Sequence, residues 1–163
     1  MIACRVVGAA ALTFLGVGAA AGEAPAVGPP RAIRWTAQVV GPVEAGEVFV
    51  VELRATPTRG WRFYGQHQPG VGPTPLSIAA ASSGLSLAGD VKADPAPEER
   101  YDKVWAATVR LHTRETVFRV PLRAQAAAGG ATSVQLRVRW QACSDEICLR
   151  PLETLVTTGA DVR

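Results

Sequence analysis

Val134-Gln135-Leu136-Arg137-Val138-Arg139-Trp140-Gln141-Ala142-Cys143-Ser144-Asp145-Glu146-Ile147-Cys148-Leu149-Arg150-Pro151 is the stretch on which the reading of this chain turns. Its first part alternates. Val134, Leu136, Val138 and Trp140 fall on one side, and Gln135, Arg137, Arg139 and Gln141 on the other. Successive side chains of a strand point to opposite faces, so this is the pattern of a half-buried strand. Carried onward, the alternation puts Ala142 inward and Cys143 on the outer face. Four residues separate Cys143 from Cys148, and Asp145 and Glu146 between them suit a tight hairpin or bulged turn. Pro151 confines the return strand to an edge or an irregular start.

The same period recurs through the chain. Ile33, Trp35, Ala37 and Val39 share one face; Phe49, Val51, Leu53 and Ala55 share another. Leu76 and Ile78 come after Pro75. Trp105, Ala107, Val109 and Leu111 alternate with Thr108 and Arg110, and Phe118, Val120 and Leu122 with Arg119 and Arg123. Turn residues separate the runs at Gly41-Pro42, Thr58-Arg59-Gly60, Pro69-Gly70, Pro95-Ala96-Pro97 and Gly129-Gly130. No segment has a 3.6-residue period. The Ala-rich 124–131 stretch reads as a hairpin connection. Many short strands with one wet and one dry face predict an all-β, antiparallel sandwich. Trp35, Trp105 and Trp140 sit on apolar faces and read as core.

With 163 residues the chain has room for one ordinary domain. Hydrophobic residues at 48% against 19% charged exclude general disorder. A formal charge of +3, with the basic residues scattered, leaves no electrostatic footprint for nucleic acid. Met1 to Arg5 is a short basic start, Val6 to Val17 is apolar, and Ala19-Ala20-Ala21 fits a small-residue cleavage site. This predicts a signal peptide over 1–21, a flexible leader over 22–32 and the sandwich over 33–163. Cys4 falls in the removed part. Cys143 and Cys148 are then alone in an exported protein, where a close pair is expected to form a disulfide.

That bridge has two readings on residues alone. As a staple it is weak, because closing a loop of about six residues contributes only about 2 kcal/mol. As a switch it needs sulfurs open to attack, which a small exposed loop would supply. Asp145 and Glu146 would raise a neighbouring thiol's pKa by disfavouring the thiolate, or they are merely solvated turn residues. Other chemistries lack support. His67 and His112 are far apart in sequence, and no second Cys/His cluster exists for zinc. Cu(I) at the pair would lack Met or His ligands. Neither a G-x-S-x-G elbow nor a G-x-x-x-x-G-K-[ST] loop occurs. No metal or cofactor is expected.

Gln141 to Pro151 resembles the "Q-[AG]-C-[SAD]-D-x-x-C-x-x-P" segment of the N-terminal periplasmic domain of the DsbD thiol:disulfide interchange family. Gly60-Trp61-Arg62-Phe63-Tyr64 is similar to its "G-W-x-x-Y" strand, and Pro69-Gly70 with Pro73-Thr74-Pro75-Leu76 to the continuation of that strand. The resemblance runs from Trp35 to Thr157. It implies an immunoglobulin-like sandwich with a redox-active Cys143–Cys148 pair, Cys148 forming mixed disulfides and Cys143 resolving them. It implies a periplasmic location and partners of the thioredoxin-like or disulfide-isomerase kind, including those of cytochrome c biogenesis. It also implies a cap loop; the nearest match is Glu98-Glu99-Arg100-Tyr101, with Glu98, Glu99 and Tyr101 as candidates and Tyr101 as the shield, or else an ordinary loop aromatic. The sequence ends at Arg163, short of the membrane and thioredoxin-like domains of full-length members. The expectation is therefore a component of a protein-disulfide reductase fed by a separately encoded DsbD-like membrane electron donor. The rival expectation is a non-enzymatic secreted sandwich, a binding or assembly module with a structural disulfide.

Overall fold

A computed structural model describes residues 31–124 and 130–162. Among these, the strands are β1 (Ile33–Val40), β2 (Val48–Pro57), β3 (Arg62–Tyr64), β4 (Ser77–Ala80), β5 (Leu85–Leu87), β6 (Lys92–Asp94), β7 (Glu98–Asp102), β8 (Ala107–His112), β9 (Thr116–Ala124), β10 (Gly130–Trp140), β11 (Ala142–Cys143) and β12 (Leu152–Val162). All named pairings are antiparallel. The expected signal peptide and most of the leader lie outside the described residues. Arg31 and Ala32 belong to the fold: Ala32 is buried, and its carbonyl accepts the Thr58 N–H at 2.8 Å.

The strands form an immunoglobulin-like β-sandwich. One sheet runs β1-β2-β9-β5, with β6 also pairing β9; a second runs β12-β10-β4; a small third runs β11-β3-β8-β7. The alternating runs bury the residues their spacing selects. Phe49, Val51, Leu53 and Ala55 of β2 are buried, as are Phe118, Val120 and Leu122 of β9 and Val134, Leu136, Val138 and Trp140 of β10. Trp35 sits among the rings of Phe63, Phe118 and Trp140 at centroid distances of 5.6, 6.4 and 6.1 Å. Offset aromatic contacts of this kind add roughly 0.5–1.5 kcal/mol each beyond their area.

Three local expectations change. β9 and β10 lie in different sheets, so the chain between them crosses the sandwich rather than closing a hairpin; residues 125–129 of that connection lie outside the described residues. Trp105 is in the turn between β7 and β8, not on the strand that its spacing from Ala107 suggests. Cys143 is wholly buried rather than on the outer face. The reason is a change of sheet at Gln141. β10 ends at Trp140 in the second sheet, and β11 pairs with β3 in the third, with Ala142 opposite Phe63 and Cys143 opposite Arg62. The inward–outward parity counted from Val134 stops applying where the strand does.

Candidate functional site

The cysteine loop is a hairpin closed by its own backbone and one hydroxyl. Ala142 carbonyl accepts the Leu149 N–H at 2.9 Å, and Ser144 N–H donates to the Ile147 carbonyl at 2.8 Å. The Ser144 Oγ accepts the N–H groups of Glu146 and Ile147 at 3.2 and 3.1 Å, the local turn chemistry for which serine is suited. Cys143 and Cys148 are opposed across this hairpin with Cα atoms 4.0 Å apart, and their sulfurs are bonded. Gln141 pins the loop from below. Its side-chain carbonyl accepts the Thr74 N–H at 2.7 Å, and its amide donates to the Leu149 carbonyl at 3.0 Å.

The two sulfurs have different surroundings. Cys143 has no exposed surface and packs with Tyr64, Val109 and Leu111 in a small cluster of its own; Cys148 and Trp105 are only partly buried against that cluster. Three pieces of chain far apart in sequence meet there because of register. Tyr64 of β3 pairs with Leu111 of β8, and β7 pairs with β8 to carry Asp102 and the Trp105 turn alongside. Ala106, at φ 50°, is in the left-handed region within that turn.

Tyr64 is the centre of the polar contacts. Its hydroxyl lies 3.0 Å from Cys143 Sγ and 3.1 Å from Asp102 Oδ2, and its oxygen accepts the Trp105 Nε1–H at 3.1 Å. One phenolic proton serves either the carboxylate or the sulfur, not both. Burial pushes the Tyr64 pKa up to about 12; the Trp105 hydrogen bond opposes this, and the charge of Asp102 adds to it. Tyr64 is therefore a neutral hydroxyl donor throughout the physiological range. Asp102 is buried, as a carboxylate can be when it is hydrogen-bonded and charge-compensated. Its Oδ1 accepts the Val104 N–H at 2.9 Å, and Arg62 Nη2 stands 3.9 Å from Oδ2. Arg62 also reaches Asp145 at 2.8 Å. A continuous path thus runs from Trp105 through Tyr64, Asp102 and Arg62 to the cysteine loop.

Of the residues singled out in sequence, Cys143 and Cys148 are brought together as expected. Asp145 is 94% exposed at its side chain and ion-paired with Arg62, which offsets its charge near the sulfurs; Glu146 is exposed. Glu98 and Glu99 face outward on β7, Glu98 accepting from Thr113 and Arg100, Glu99 pairing with Arg110 at 2.9 Å. Tyr101 is 62% exposed and borders a recess of about 360 Å3 shared with Arg62, Asp102 and Asp145. The aromatic that packs on the cysteine cluster is Trp105, four residues further on. Tyr64, Asp102 and Arg62 had no role assigned from the sequence. The G-W-x-x-Y match already contained Tyr64, and that was the one signal pointing to it.

A sandwich that carries its only described disulfide in a buried polar cluster, with one cysteine fully buried and the other partly exposed, defines a class of cysteine-pair domains. Residues 33–160 match the family described as thiol:disulfide interchange protein DsbD, N-terminal, and the chain belongs to that family. Among solved structures it is similar to the N-terminal periplasmic domain of ScsB from Proteus mirabilis, at 18% identity and a TM-score of 0.50. The match covers 80% of this chain and 51% of that one, so the chain spans about half the length of the structure it resembles. No curated protein matches it. Among the described residues no helix is long and apolar enough to cross a membrane.

Proposed function

We propose that this domain exchanges electrons with partner proteins through Cys143 and Cys148, with Cys148 as the sulfur attacked. The observation that carries this is the asymmetry of the pair: Cys148 is partly open, whereas Cys143 is sealed beneath Tyr64 and 3.0 Å from its hydroxyl. A partner thiolate attacks Cys148 Sγ, the Cys143–Cys148 bond breaks, and Cys143 leaves as a thiolate. Tyr64 then turns its O–H from the Asp102 carboxylate to that buried anion, exchanging one charge-assisted hydrogen bond for another. The partner's second thiol attacks the mixed disulfide, so the partner becomes oxidised and the domain holds two thiols. In the opposite direction the Cys148 thiolate attacks a partner disulfide, Cys143 attacks Cys148, and the partner leaves with two electrons and two protons.

The electron source in this reading is a DsbD-like membrane protein, and the acceptors are thioredoxin-like or disulfide-isomerase proteins, including those that serve cytochrome c biogenesis. Export through a signal peptide over 1–21 places the chemistry in the periplasm. Asp145 and Glu146 tune the thiols, and Glu98, Glu99 and Tyr101 with the Trp105 turn form the cap. Full burial of Cys143 favours a second reading, a purely structural bridge in a binding module. Equilibration with glutathione separates the two: exchange requires a reduction potential above about −300 mV, and a lower value overturns it in favour of the staple.

A further inference from the structure

The chain's two histidines, separated by 44 intervening residues, border the same cavity. It lies between the His67 loop, β6 and β8 and has a volume of about 550 Å3, within the ~300–1,000 Å3 of small-molecule sites. Lys92 and Arg110 also line it, and no Asp or Glu does. We propose that this cavity binds a small organic monocarboxylate, independently of the disulfide chemistry.

The wall is held in place. Gln68 donates to the carbonyls of Gly65 and Arg110 at 3.1 and 2.8 Å and accepts the Arg110 N–H at 3.0 Å. Gly65 approaches Pro97 so closely that a Cβ there would stand 3.3 Å from the proline ring. His112 is only 3% exposed; its Nδ1 is 3.1 Å from Thr116 Oγ1, and its ring stacks on Phe63 at 4.8 Å. Burial lowers its pKa to about 4, so it lines the cavity as a neutral ring.

The charges select the ligand. Arg110 is already held by Glu99 at 2.9 Å, whereas Lys92 has no carboxylate partner among the described residues. Asp94, two residues along β6, and Glu98, whose oxygens accept from Thr113 and Arg100, do not line the cavity. One uncompensated cation suits one negative charge, not a dianionic phosphate. Val91, Ala93 and Pro97 supply an apolar wall for a hydrocarbon body.

The test is an amide NMR titration at constant ionic strength with benzoate, its neutral analogue benzyl alcohol and the benzylammonium cation. The expected result is saturable shifts with benzoate centred on His67, Lys92 and Arg110, and no saturation with the other two. Lys92→Met, a change at an exposed position, should weaken benzoate by about fivefold while leaving the remaining spectrum in place. Absence of saturation with benzoate, equal binding of benzyl alcohol, or unchanged affinity in Lys92→Met would each overturn the proposal.

Discussion

Two interiors of unequal size sit side by side in this domain. The larger is apolar: Leu53, Phe118, Val120, Leu136 and their neighbours from the two main sheets, with Trp35 among three aromatic rings. The smaller, among the described residues, groups Tyr64, Val109, Leu111 and Cys143, with Trp105 and Cys148 against it, and it takes in a hydroxyl, the Asp102 carboxylate and a disulfide. The first buries surface and is chemically inert. The second buries little but sets a hydroxyl beside one sulfur, while Cys148, the bonded partner, is only partly buried. On the proposed function, stability and chemistry fall to separate interiors, and substitutions should separate them too.

The largest effect belongs to the large interior. Phe118→Ala should lower the unfolding free energy by about 3–5 kcal/mol in urea titrations, through lost burial and the cavity left behind, while the reduction potential of the folded fraction stays near the parent's. Comparable stability in the two proteins would break the division. Reducing the disulfide should cost less, about 2 kcal/mol, because the loop it closes is short; matched urea midpoints of oxidised and reduced protein give this directly.

His112 lies against the large interior, between Phe63 of β3 and Phe118 of β9, at 4.8 and 5.4 Å. Its pKa is lowered from 6.5 to about 4, chiefly by burial. The unfolded chain therefore binds the proton more readily between those values. The stability that a neutral His112 gives is complete above pH 6.5 and is lost as pH falls toward 4. The loss should be on the order of 1–2 kcal/mol, since the ring borders a cavity open to solvent. His112→Phe should remove that part of the pH slope in stability measured from pH 7 to pH 4.

Tyr64→Phe keeps the ring but leaves Asp102 and Trp105 each short of one hydrogen-bond partner, so it should cost about 1–2 kcal/mol. Its signature is chemical. Without the donor, the Cys143 thiol of the reduced protein should titrate about one unit higher, and attack of a small thiol on Cys148 of the oxidised protein, from which Cys143 leaves, should slow by about threefold. An unchanged thiol titration in Tyr64→Phe would remove Tyr64 from the chemistry.

The same division governs what was legible in the sequence. β2, β9 and β10 carry long, regular alternation, because residues such as Val51, Val120 and Leu136 face the large interior at every second position, and parity reads them directly. In the small interior Val109 and Leu111 of β8 share that signature, but the polar members do not. Arg62 and Tyr64 come from a three-residue strand, Cys143 from a two-residue one, and Asp102 and Trp105 from the end of β7 and the turn after it. Each piece is too short to show a period, and their meeting depends on pairings such as Cys143 opposite Arg62. Parity misplaced Cys143 because the chain leaves one sheet for another at Gln141. The motif around the cysteines survived that error because it depends on residue types and spacing, not on a face.

The most direct measurement compares two single-cysteine variants of residues 22–163, which lack Cys4. Cys143→Ser leaves Cys148 alone, and Cys148→Ser leaves Cys143 alone; each is reacted at neutral pH with the same aromatic disulfide and followed by mass spectrometry. If Cys148 is the exchanging sulfur and Cys143 the sealed one, Cys148 should form the mixed disulfide at least about tenfold faster. Equal rates, or faster reaction at Cys143, would contradict the account.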